Sequence, residues 1–114
     1  MPFRSINTLE SWLDEFAGLG YPTANSARVI AQDGADDADT GLVVFQFVNS
    51  PTVAYLQPEL PSLEWIITIE GREATIPMRP STAMNVAYEF SVVSALGAFL
   101  EAKSRVWLAD HEPS

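Results

Sequence analysis

Leu63-Glu64-Trp65-Ile66-Ile67-Thr68-Ile69-Glu70-Gly71-Arg72-Glu73-Ala74-Thr75-Ile76-Pro77-Met78 is the stretch that sets the fold class. Leu63, Trp65, Ile67 and Ile69 stand at alternate positions, and so do Ala74, Ile76 and Met78. Successive side chains of a strand point to opposite faces, so this period of two predicts two strands sharing one apolar face. A two-residue loop at Gly71-Arg72 pairs Ile69 with Ala74, Ile67 with Ile76 and Trp65 with Met78, which keeps that face intact across the hairpin. The same register sets Glu70 against Glu73, with Arg72 close enough to offset the repulsion. Pro77 has no N–H to give to a ladder and places the later strand at an edge.

Working back towards the N-terminus, Leu42 to Val48 (Leu-Val-Val-Phe-Gln-Phe-Val) is apolar on both faces. It reads as a central strand covered on both sides, or covered by a partner on one of them. Asn49-Ser50-Pro51-Thr52 supplies turn chemistry, and Val53 to Gln57 returns antiparallel. Pro58 and Pro61 stiffen the connection that follows. Residues 26–32 fit a short strand or a turn of helix, with strand preferred, and a polar loop from Asp33 to Gly41 follows them. Residues 7–18 read as a helix: Leu9, Trp12, Leu13 and Phe16 form one apolar stripe, Asn7 and Glu10 suggest a capping box, and Gly18 and Gly20 can end it.

Beyond the hairpin, Pro80 and Ser81 open a long helix to about Leu108, leaving 109–114 as a frayed tail. Met84, Tyr88, Val92, Phe99 and Val106 share one of its faces. Val86, Phe90, Val93, Leu96, Leu100 and Trp107 lie roughly opposite, with Ala87, Ser91, Ser94, Ala95, Ala98 and Ala102 between. An apolar girdle needs cover on more than one side. The N-terminal helix, through Trp12 and Phe16, can supply part of it. The whole reads as a single α+β domain over 1–114: an antiparallel four- or five-stranded meander sheet with both helices packed on one face.

Composition narrows the chemistry. Fifteen Asp and Glu against six Lys and Arg give a formal net charge of −9. Such a surface repels phosphate backbones and anionic lipid heads and suits a basic partner, so neither direct nucleic-acid binding nor membrane docking is expected. There is no Cys, which removes disulfides, thiolate catalysis and zinc–thiolate sites and favours the cytoplasm. The apolar stretch Val86 to Leu100 is interrupted by Glu89, Ser91 and Ser94 and falls short of the roughly 20 residues that span a bilayer.

Candidate sites are few. His111, the only histidine, sits near the end of the chain, where no triad would hold it. Gly18-Leu19-Gly20 follows a helix where a dinucleotide fingerprint must follow a strand. Asp33, Asp36, Asp37 and Asp39 lack the alternation and the distant Glu of a calcium loop. Neither a catalytic residue, a metal site nor a cofactor is therefore expected. Two sets of residues remain: Phe90, Val93 and Leu100 as a candidate interface, and Trp65, Tyr88 and Glu89 as a candidate pocket between sheet and C-terminal helix.

The function expected is a non-catalytic acidic protein-interaction module, of the adaptor, chaperone or immunity type, and homodimeric. Two alternatives are a small-molecule binder or enzyme using that pocket, and an acidic mimic of nucleic acid. The partners expected are a second copy of the chain, another and preferably basic protein, or both.

Overall fold

The computed structural model describes residues 5–21, 26–31, 41–59, 64–70 and 75–111. Along the chain run α1 (Ile6–Ala17), β1 (Ala27–Ala31), β2 (Gly41–Gln46), β3 (Val53–Glu59), β4 (Glu64–Ile69) and α2 (Pro80–His111). The four strands form an antiparallel meander in the order β1-β2-β3-β4, so the α+β architecture is as expected.

One helix cap differs from expectation. The N-cap of α1 is Ser5, whose Oγ accepts the Thr8 N–H at 3.1 Å and donates to Thr8 Oγ1 at 2.8 Å. Asn7 already lies inside the helix, so it cannot cap it. At the other end the chain leaves through Gly20, which holds a left-handed φ of +93° that suits glycine.

Register explains the core. Ala27, Phe45, Ala54 and Ile69 form one cross-strand row, and Val29, Val43, Leu56 and Ile67 form the next. These residues point to one face, and the cluster built on it takes in Leu9, Trp12 and Phe16 from α1 and Val92, Val93, Leu96 and Leu100 from α2. Each of these large side chains gains about 1.5–3 kcal/mol from full burial. Both helices therefore cover the same face, as expected. They meet through Phe16 and Phe99, with ring centroids 5.5 Å apart, and through Lys103 and Glu15 at 3.0 Å. The opposite face carries the row Arg28, Val44, Tyr55 and Thr68, and no described helix covers it.

The later strand of the hairpin over 63–78 does not form among the described residues: β4 pairs there with β3 alone, and Thr75–Arg79 form no strand. Trp65 is buried and Ile67 half-buried, but Ile69, Ile76 and Met78 are exposed. Leu63, Gly71, Arg72 and Ala74 lie outside the described residues. Pro77 and Pro80 offer no N–H to a ladder, and the chain here must travel to the start of α2. The partner of β4 is the preceding strand of the meander, and it runs on into the segment read as a stiff connection: Pro58 and Glu59 belong to β3, opposite Trp65 and Glu64. Pro58 is tolerated because its backbone nitrogen points towards β2, and the β2–β3 pairing ends before it, at Val43 and Leu56.

α2 is longer than the expected helix and runs through His111. At about 1.5 Å per residue it extends some 48 Å. Strands of five to seven residues reach only about 17–24 Å. The helix therefore overhangs its sheet, in keeping with molecular extents of 54 × 32 × 22 Å.

Candidate interaction surfaces

Three contacts fix the path of α2 over the sheet. Near its N-terminal end, the Glu89 carboxylate is buried and accepts three hydrogen bonds. These come from the Val48 N–H at 2.6 Å, the Asn49 N–H at 3.0 Å and Asn49 Nδ2 at 2.9 Å. Midway, Gly97 lies against β4 and β3: a Cβ placed there would sit 3.4 Å from Ile67 Cδ1 and 3.8 Å from Leu56 Cδ2. Further on, Glu101 Oε1 accepts the Trp65 N–H at 2.8 Å, and Ser104 Oγ accepts the Trp65 indole N–H at 2.8 Å while donating to the Leu100 carbonyl at 2.7 Å. α2 thus crosses diagonally, from the turn after β2 to the start of β4.

This path decides which side of α2 is free. Val92, Val93, Leu96 and Leu100 are buried, while Met84, Tyr88 and Val106 are 71%, 48% and 60% exposed. Ala87, Ser91, Ser94, Ala98 and Ala102 are exposed as well. From Pro80 to Leu100 the only charged residue is Glu89, and it is 1% exposed. The solvent side of α2 is therefore free of charge over about six turns. Most residues of the turns before Glu89 are exposed, with Val86 packed against the core and Ile76 and Met78 exposed just ahead.

The expected interface residues separate. Val93 and Leu100 belong to the chain's own core and cannot also face a partner. Phe90 stays 42% exposed and packs against Phe47, with centroids 4.8 Å apart. Of Tyr88, Val92 and Phe99 on the other face of the wheel, only Val92 is fully buried.

The expected pocket residues do not share a cavity. Trp65 is tied to Ser104, fifteen positions from Glu89 on the same helix, or about 22 Å along its axis. Both polar groups are spent on internal hydrogen bonds, and Tyr88 is exposed. The surface depressions lie elsewhere. One of about 330 Å³ is lined by Ser26, Arg28, Gln46, Phe47 and Val48. A smaller one of about 170 Å³ lies between α1 and the end of α2, at Trp12, Lys103, Val106, Trp107 and Asp110.

The role of Glu89 was missed in the sequence reading. It is not a pocket residue but a clamp on the turn after β2. Its signal was a lone carboxylate in an apolar helix together with an Asn-Ser-Pro turn rich in backbone donors.

Asp33, Asp36, Asp37 and Asp39 lie outside the described residues. Among the described residues no group of three or more His, Asp or Glu side chains is placed to hold a metal ion. The stretch Pro80–Asp110 is, by length and composition alone, long and apolar enough to cross a membrane. That corrects the shorter span read from Val86 to Leu100. The core helix of a soluble protein meets the same criteria, and the inner side of α2 is committed to the sheet.

These features define an α+β protein with one sheet face covered and one helix side open. Beyond that class the chain matches no protein-family model, no curated protein and no solved structure.

Proposed function

We propose that this chain is a non-catalytic protein-interaction module that pairs with a second copy of itself through the solvent side of α2. The observation that carries this reading is the charge-free outer side of α2, from Pro80 to Leu100, in a chain of net charge −9. Elsewhere the chain is rich in carboxylates that would repel a like copy. Along this side there are none at the surface.

Met84, Tyr88 and Val106 supply apolar area, and the small residues between them allow a second backbone to come close. A two-fold axis near Ser94 would set Ala87 of one copy beside Ala102 of the other, each copy using the same patch. Exposed apolar area of this kind is uncommon on a surface that contacts nothing.

Because the chain has no Cys, a single Ser94→Cys substitution gives a clean test. In an oxidising buffer at micromolar concentration it should cross-link into a covalent dimer, whereas a control on α1, Glu10→Cys, should not. Equal cross-linking of the two would count against the α2 contact.

A further inference from the structure

β4 is an edge strand, and its hydrogen-bonding directions follow from one bond. The Glu70 N–H donates to the Val53 carbonyl at 3.0 Å. Along a strand these directions alternate, so residues 64, 66, 68 and 70 address β3, while Trp65, Ile67 and Ile69 present their N–H and C=O groups to the open edge. The Trp65 N–H confirms the assignment, since it leaves the sheet and is taken by Glu101 of α2. No corresponding bond reaches the N–H of Ile67 or Ile69 from the described residues. The diagonal path of α2 is the reason: it covers the start of β4 and has moved away by its end. Ile69 is therefore 42% exposed although it lies on the inner face.

Sheet edges are usually blunted by Lys, Pro, a bulge or a covering element. β1 has α1 beside it, where Glu10, Leu13 and Asp14 line a depression together with Ala27, Arg28 and Val29. β4 has no Lys and no Pro, and Glu101 guards only its first position.

The side chains beside the open edge state what would fit there. On the outer face Glu64, Ile66, Thr68 and Glu70 are exposed, and Glu59 stands opposite Glu64. An added strand would therefore meet carboxylates at both ends and Ile66 and Thr68 between them. On the inner face it would meet Trp65, Ile67 and Ile69. A second copy fits poorly, because β4 paired with itself about Ile67 sets Glu64 against Glu70 twice.

We propose that the free edge of β4 takes up an extended segment of another protein as a fifth strand, one with alternating apolar residues and Lys or Arg at both ends. Main-chain bonds to Ile67 and Ile69 give the grip, and the flanking carboxylates select the charge. This site is separate from the α2 side and does not depend on dimerisation.

The test uses the whole chain, labelled with nitrogen-15, and the capped peptide Lys-Val-Thr-Val-Thr-Val-Lys. Binding should protect the Ile67 and Ile69 amides from exchange. Methylating the backbone nitrogen of the central Val, which would face β4, should weaken binding at least about tenfold; methylating a Thr nitrogen, which faces away, should not. Replacing the terminal Lys by Glu should abolish binding. Ile69→Pro removes an edge donor that β3 does not use, so it should lose the peptide with the sheet intact. If that variant does not fold, the two methylated peptides on the unaltered chain still decide. Equal affinity for both methylated peptides, perturbations confined to α2, or no binding at millimolar peptide would overturn the proposal. Ser94→Arg should leave peptide affinity unchanged, so failure here is distinct from failure of the α2 contact.

Discussion

α1 buries Leu9, Trp12 and Phe16 and leaves Glu10, Ser11, Asp14 and Glu15 in solvent. α2 does nearly the reverse at several positions: it buries Glu89 and Ser104 and exposes Met84, Tyr88 and Val106. Both helices lie on the same sheet face, so the difference is in what each sequence encodes. A helix whose polarity is one-sided states its own orientation. A helix that is apolar all round is oriented by the few polar groups that find partners, here Glu89 on the turn after β2, and Glu101 and Ser104 on Trp65. The apolar side left over is then available for something else.

The strongest way to break this comparison is to substitute apolar residues on the two sides of α2. Leu96→Ala, in the core, should cost about 3 kcal/mol or more through lost burial and a cavity. Met84→Ala, on the outer side, should change monomer stability by less than about 0.5 kcal/mol. Urea unfolding at low protein concentration reads both. Similar costs would mean that the two sides are not distinct.

A carboxylate pair makes a comparable contrast. Glu89→Ala leaves two backbone donors and the Asn49 amide without their acceptor and should cost about 3 kcal/mol. Glu10→Ala on α1 should cost less than about 0.5 kcal/mol. If thermal unfolding showed Glu89→Ala to be harmless, α2 would be oriented by packing alone.

The smallest effect expected is at Gly97. Ala is the better helix former by about 1 kcal/mol, and the added methyl meets only ordinary contacts with Ile67 and Leu56. Gly97→Ala should therefore be neutral or stabilising by up to about 1 kcal/mol. Gly97→Val should be clearly destabilising, because a branched side chain overpacks the helix–sheet seam.

These contrasts also explain how much could be read from the sequence. The strands at 42–48 and 53–57 announced themselves by β-branched and aromatic residues between turn signals, and α1 by its stripe. The pairing of 63–70 did not. Its alternation fits a partner on either side, and the hairpin through Gly71-Arg72 looked self-consistent, while Pro58 marked the end of the strand before it one or two residues too early. Pro58 is accommodated because the β2–β3 pairing stops short of it, a fact of strand pairing in three dimensions. The interface choice failed for a related reason. Val93 and Leu100 share a face with Phe90 on a helical wheel, but the position of Glu89 turns that face onto the sheet. A wheel carries no information about which carboxylate will find a backbone to hold.

The central claim is that the outer side of α2 joins two copies of the chain. Sedimentation velocity over a concentration series measures this most directly, with the unaltered chain run beside Ser94→Arg, which puts a long charged side chain into the middle of the charge-free side. The account predicts a species of twice the chain mass that gains population with concentration, and a Ser94→Arg variant that stays monomeric with unchanged stability. A monomer at every concentration up to the high micromolar range, or a dimer that Ser94→Arg leaves intact, would contradict it.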